Sequence, residues 1–170
     1  ASEGGAGAGV VAALFTAVSA ICVTGLTVVD TPTHWSTFGE LVILGLIQVG
    51  GPGIMTLASL LALLVSRRLG LRMQLTAQVE TKSMGLGEVR RVLARVVVTS
   101  LLFEAVTAVL LAAGFAAGYD EPLGRAVYLG VFHAVSAFNN AGFALFSDNL
   151  IGFATDPFVC VPIMVAVVAG

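Results

Sequence analysis

Seven of the eight basic residues of this chain, Arg67, Arg68, Arg72, Lys82, Arg90, Arg91 and Arg95, crowd into one connection between two long apolar stretches, Leu41 to Val65 and Val96 to Ala117. With Glu80 and Glu88 the connection carries a net +5. Each flanking stretch reaches the roughly 20 residues that a helix needs to cross a bilayer. Basic connections are retained on the cytoplasmic side of membranes. The pattern therefore predicts two spans joined on that side, with the second helix starting early, near Glu88. Composition agrees: 58 % of the residues are hydrophobic and 11 % charged, against about a quarter charged in soluble domains. A soluble enzyme domain, a disordered tail and a nucleic-acid binder are all excluded. The formal net charge of −2 offers nothing to a polyanion.

Val10 to Val29 and Ala126 to Phe146 are also apolar, and they decide the architecture. If both crossed the membrane, the connection from Ser147 to Asp156 would be cytoplasmic without a single Lys or Arg. If each instead dips in and returns, residues 1–9, 30–40, 118–125 and 147–156 all lie outside, with Arg125 as their one cation. Charge asymmetry favours this re-entrant arrangement, and it brings Trp35, Tyr119 and Tyr128 near the outer interface, where amphipathic rings are favoured. The last apolar segment, Pro157 to Gly170, is too short to span, and both ends look cut from a longer chain. Cys22 and Cys160 have no metal-type spacing and are expected to be buried, unpaired thiols. Two His and two Cys supply neither a metal cluster nor a nucleophile–base pair, so no enzyme is expected.

The two re-entrant candidates are copies of one motif. Phe15-Thr-Ala-Val-Ser-Ala-Ile-Cys-Val-Thr-Gly25 aligns without gaps on Phe132-His-Ala-Val-Ser-Ala-Phe-Asn-Asn-Ala-Gly142, at a constant offset of 117, with six of eleven positions identical. A short acidic connection and an apolar helix follow each copy, and Gly50 and Gly170 are candidates for a further correspondence. Repeats in membrane transport proteins commonly place the permeation site on their shared axis. Each copy predicts a helix ending at Ser-Ala and then a short non-helical segment with one glycine. Such backbone survives at membrane depth only when buried in protein or lining a water-filled cavity. Its carbonyl oxygens can replace the water around a dehydrated cation, and the negative end of the preceding helix adds to the attraction.

Ala17-Val-Ser-Ala-Ile-Cys-Val-Thr-Gly-Leu-Thr-Val-Val-Asp-Thr31, then Ile47-Gln-Val-Gly-Gly-Pro-Gly-Ile54, then Ser136-Ala-Phe-Asn-Asn-Ala-Gly-Phe-Ala-Leu145 resemble the Trk/Ktr/HKT superfamily of potassium transporters, KtrB-type subunits most closely. The resemblance implies an all-α integral membrane protein of repeated helix, re-entrant pore helix, filter and helix units, as in potassium channels. Residues 1–66 would be the first pore unit without its opening helix, 67–91 the basic cytoplasmic connection, and 92–170 most of the second unit. Two further units would complete the pore. The implied K+ ligands are the backbone carbonyls of Cys22, Val23, Thr24 and Gly25 in one filter strand and Asn139, Asn140, Ala141 and Gly142 in the other. One glycine per strand, where channels have two, implies weaker discrimination against Na+. The resemblance also implies uptake of K+ across the cytoplasmic membrane with the filter side outside. It further implies a homodimer within the lipid bilayer, gated by a KtrA-like cytoplasmic nucleotide-binding ring, and no cofactor within this chain. Where Pro52 stands the family often has an aliphatic residue, which bears on local helix geometry. The alternative is an ion-coupled secondary transporter, or a non-conducting assembly subunit, of ordinary four-span topology.

Single residues have more modest expectations. Glu104 is an ionisable group inside a span and shares a helix stripe with Ser100, Thr107 and Ala108, which points to packing or hydrogen bonding between helices, with a part in transport as the alternative. His133 reads as a buried, hydrogen-bonded histidine of the second pore helix. Gly50-Gly-Pro-Gly53 reads as a kink or close helix contact. Asp30, Glu40, Asp120, Glu121, Asp148 and Asp156 either focus cations at an outer vestibule or form a solvated rim, and Arg125 reads as an interfacial anchor.

Overall fold

The computed structural model describes the backbone of residues 9–69 and 86–170, with side chains for 9–54 and 94–170. Most of the expected basic connection at 67–91 lies outside the described residues. Six α-helices appear in chain order: α1 (Val10–Ile21), α2 (Thr31–His34), α3 (Thr37–Leu69), α4 (Leu86–Gly118), α5 (Leu123–Phe138) and α6 (Pro157–Ala169). A 3-10 turn, Ile151–Phe153, precedes α6. The fold is all-α among the described residues, and two helices contain stretches apolar and long enough to span, Thr37–Ile54 and Ala94–Gly118.

The other two apolar stretches break where the repeat predicts. α1 has 12 residues and α5 has 16, about 18 and 24 Å at 1.5 Å per residue, against a hydrocarbon core of about 30 Å. Neither crosses. After α5 the chain returns to the face it left: Phe146 and Phe153 pack on Phe115 near the end of α4, with ring centroids 5.8 and 5.5 Å away. The Tyr119 hydroxyl donates to Asp156 at 2.8 Å. The first copy reaches the same face, because Ser147 Oγ donates to Asp30 Oδ2 at 2.7 Å. These two residues are themselves 117 apart, so equivalent positions of the two copies touch. The same end of α3 is tied in by the Tyr128 hydroxyl, which donates to Glu40. The re-entrant arrangement holds, and the four-span alternative does not.

The core gathers between α3, α4, α5 and α6 and the returning segments, around Ile47, Leu111, Phe115, Leu129, Phe132 and Val159. Trp35 belongs to this core at 6 % exposure. Tyr119 and Tyr128 turn their hydroxyls to Asp156 and Glu40. Apolar side chains such as Val98, Leu102 and Val109 of α4 face outward, as a helix in lipid requires. Without a hydrophobic drive between helices in lipid, close packing of small residues holds them together. Gly130 of α5 is the tightest such point against α4: a β-carbon there would lie 2.7 Å from the Ala108 oxygen and 2.9 Å from the Ala112 nitrogen. At Gly124, on the same helix, it would meet nothing within 4 Å. Gly130→Leu is therefore expected to cost about 1–3 kcal/mol and Gly124→Leu within about 0.5 kcal/mol. Melting of the purified variants in detergent checks this, and equal Tm values would count against the packing.

Candidate functional site

The two short helices end identically. In the first copy Val23 N–H donates to Ala20 O at 3.2 Å and Thr24 N–H to Ser19 O at 3.0 Å. In the second, Asn140 N–H donates to Ala137 O at 3.0 Å and Ala141 N–H to Ser136 O at 2.7 Å. This is the Schellman closure, which satisfies the last helical carbonyls and turns the chain through a left-handed residue. That residue is Val23 at φ 55° in one copy and Asn140 at φ 56° in the other. Two positions on, Gly25 and Gly142 are again left-handed at φ 70° and 72°. Alternating the sign of φ along a short segment swings successive peptide planes so that their oxygens tend towards one side.

The two glycines also bring the segments together. A β-carbon on Gly25 would lie 2.5 Å from Ala141 O and 3.3 Å from the Gly142 α-carbon. On Gly142 it would meet only the Gly25 α-carbon, at 3.5 Å. Below them, Gly50 of α3 presses on the carbonyl of Ile21, and Gly170 on that of Phe138. Ile21 and Phe138 are the last residues of their helices and correspond at the offset of 117, so the suspected pairing of Gly50 with Gly170 is geometric. Gly51 leaves the space that the Asn139 side chain fills. The Gly50-Gly-Pro-Gly53 motif is thus a site of close helix approach.

Of the eight candidate residues, Gly25, Ala141 and Gly142 meet at this junction, with Val23, Thr24 and Asn140 completing the turns. Cys22 and Asn139 sit at the helix ends as C-caps. Cys22 is exposed and Cys160 half-buried, both thiols free, which corrects the expectation of two buried thiols. Cys22 lies where the helix opens into the turn, and Cys160 Sγ reaches the Phe153 carbonyl at 3.1 Å.

Side chains brace the second segment along its length. Ser136 Oγ donates to Phe143 O at 2.6 Å. His133 is buried, with Nδ1 2.7 Å from Leu129 O and Nε2 accepting the Leu145 N–H at 3.2 Å, so Nδ1 carries the proton. Asn139 Nδ2 donates to Glu104 Oε1 at 2.9 Å and to Val135 O at 2.9 Å, while Gln48 Nε2 of α3 donates to Glu104 Oε2 at 3.0 Å. The Ser100, Glu104 and Thr107 stripe is buried at 5 to 8 % exposure, as its polarity suggested. In the first copy the position of His133 is held by Thr16, whose hydroxyl is buried without a partner among the described residues. Ser19 turns instead to Thr24, their hydroxyls 3.0 Å apart. Gln48 had not been singled out. The available signal was an amide inside an apolar span, three residues before a glycine on the same face.

Most of the acidic rim is engaged with protein. Asp30 accepts from Thr33 and Ser147, and these hydroxyls hold its carboxyl below the usual carboxylate range. Glu40 accepts from Tyr128, Asp156 caps α6 through Phe158 N–H at 2.8 Å, and Glu121 pairs with exposed Arg125 at 3.2 Å. The rim is a set of clasps between segments, and Arg125 anchors within it.

The chain matches the family profile described as "TrkH: Cation transport protein" over residues 4–170. It is 41 % identical over 147 residues to the Ktr system potassium uptake protein B of Bacillus subtilis (strain 168), covering 86 % of this chain and 33 % of that protein. To the protein of the same name from Vibrio alginolyticus it is 42 % identical, covering 86 % of this chain and 32 % of that one. The potassium/sodium uptake protein NtpJ of Enterococcus hirae is 32 % identical over 93 % of this chain and 35 % of its own length. The chain spans about a third of the length of these curated relatives.

The closure at Asn140 generates its own prediction. A β-branched residue in the left-handed region costs about 1–2 kcal/mol, whereas Asn and Gly accept it. Asn140 is exposed, so Asn140→Val is expected to lower Tm while Asn140→Gly leaves it nearly unchanged. A melt in which the two variants coincide would contradict the assigned turn.

Proposed function

The chain belongs to the TrkH family of cation transport proteins, and on that premise we propose that it forms half of a potassium uptake pore. The carbonyls of Cys22, Val23, Thr24 and Gly25 and of Asn139, Asn140, Ala141 and Gly142 line that pore. Residues 1–66 are the larger part of the first of four non-identical units, 67–91 a cytoplasmic connection, and 92–170 the larger part of the second unit. The filter segments face the outside of the cell membrane. The complete protein is a homodimer whose gate answers to a KtrA-like cytoplasmic ring that binds nucleotides. K+ is the transported ion, with Na+ a weaker competitor.

One observation carries this reading. The two segments share one hydrogen-bonded closure and one alternation of φ at a fixed offset, and they meet at their glycines. Repetition of so unusual a backbone at the junction of two copies favours a shared axis. Along such an axis carbonyl oxygens can stand in for a cation's hydration shell. The C-terminal ends of α1 and α5 point their partial negative charge at the same place. The names of the relatives, potassium uptake proteins and a potassium/sodium uptake protein, supply the ion.

The test is uptake by the complete transporter in bacteria that cannot otherwise grow at low K+. Gly25→Val meets both a clash with Ala141 O and an unfavourable φ, so uptake should fall at least tenfold. Gly142→Ser meets the φ penalty alone, and should keep uptake while lowering K+ preference over Na+ several-fold. Val109→Ala on the outward face of α4 should stay within twofold. Unaltered uptake in Gly25→Val, at normal membrane levels, would remove the filter assignment.

A further inference from the structure

Glu104 lies within the span of α4 at 5 % exposure, and each of its oxygens accepts a hydrogen bond from protein. Oε2 accepts from Gln48 of α3 and Oε1 from Asn139, the first residue after α5. The carboxylate therefore links three elements: the helix that carries it, the helix that follows the first segment, and the root of the second segment. An acid at this depth is costly unless its hydrogen bonds are complete. Two amide donors, one on each oxygen, meet that demand.

Asn139 has little freedom in this arrangement. Its Nδ2 is shared between Glu104 and the Val135 carbonyl, and its amide oxygen lies against Gly51, where a larger residue would collide. The side chain is thus seized from three directions, and its own backbone begins the turn into Asn140. At the equivalent position the first segment has Cys22, which is exposed and has no amide to hold.

We propose that Glu104 is a positioning residue for ion selection. Through Asn139 it fixes the orientation of the peptide planes at the root of the second filter segment, and Gln48 anchors it to α3 for that purpose. The inference rests on the filter reading above. Ion discrimination would then depend on a carboxylate that never touches the ion.

Geometry distinguishes conservative from disruptive changes. In Glu104→Gln the new oxygen still accepts from Asn139, and the new amide can meet the Gln48 oxygen, which is otherwise buried without a partner. Glu104→Leu removes both acceptors, leaving Gln48 Nε2 without this partner and Asn139 Nδ2 with the Val135 carbonyl alone. Gln48→Leu removes the anchor and touches no filter residue.

The experiment measures K+ uptake kinetics and inhibition by Na+ in the complete transporter, with membrane levels quantified for each variant. Glu104→Leu is expected to raise the KM for K+ about tenfold, the equivalent of roughly 1.4 kcal/mol, and to strengthen Na+ inhibition, with maximal rate per transporter within about twofold. Glu104→Gln should keep the parental KM within about twofold. Gln48→Leu should raise it about threefold. Asn139→Ala should raise KM by a similar factor, and because both variants remove the Glu104–Asn139 bond the double variant should raise it by clearly less than the product of the two. If Glu104→Leu fails to reach the membrane, Gln48→Leu and Asn139→Ala carry the test. Parental KM and Na+ inhibition in Glu104→Leu, or in both of those variants, would overturn the inference, as would losses that add in the double variant. Gly142→Ser separates this failure from that of the filter itself. If Gly142→Ser shifts ion competition and the Glu104 set does not, only the positioning role falls, whereas no shift in either removes both.

Discussion

Non-helical backbone inside a membrane is the constraint from which the structure follows. Each exposed N–H or carbonyl in hydrocarbon costs several kcal/mol, so a helix that stops halfway needs its last carbonyls satisfied and its continuation shielded. Both short helices meet the first demand with the same closure, in which Thr24 and Ala141 reach back to Ser19 and Ser136. The second demand is met in part within this chain: α3 backs Ile21 at Gly50, α6 backs Phe138 at Gly170, and each segment lies against the other at Gly25 and Gly142. Glycine at positions 25, 50 and 170 is a steric requirement, because backbone approaches backbone there, whereas at Gly142 the left-handed φ is what calls for it.

The two copies use the same backbone with different supporting chemistry. The second has Asn at the left-handed position, a histidine reaching Leu145 N–H, a serine on Phe143 O and a carboxylate on Asn139. The first has Val in the same left-handed position and a Thr too short to make the histidine's contact. Sequence divergence between repeats has been spent on side-chain bracing, while the main-chain path is unchanged. An asymmetric pore built from such units need not distribute selectivity evenly over its strands. The acidic residues at the same face extend the pattern, since Asp30, Glu40 and Asp156 each close a contact between segments far apart in sequence.

Much of this was legible in the residues. Hydropathy and the clustering of Arg and Lys set the two spans, and the absence of Lys and Arg from the connection at 147–156 together with the 117-residue repeat indicated that the other two apolar stretches turn back. Burial of the Glu104 stripe followed from its spacing. Legibility ended where a residue's fate depended on what packs beside it. Trp35 is covered by protein at 6 % exposure, which its place near a span end did not disclose. Cys22 is exposed while Asn139, at the equivalent helix end, is held by Glu104 and Val135, so burial there depends on what packs beside each copy.

The sequence by itself determined which segments enter the bilayer, that two of them turn back, and that the pair are copies, since hydropathy, charge and repetition are local properties of the chain. Only the tertiary structure decided that Asp30 meets Ser147, that Gly50 and Gly170 play one role, and that Glu104 holds Asn139. The Glu104–Asn139 and Asp30–Ser147 contacts join residues 35 and 117 positions apart, and Gly50 and Gly170 each press on the last residue of a different helix, Ile21 and Phe138. Their existence depends on helix rotation and depth, which close packing fixes and no periodicity along the chain encodes.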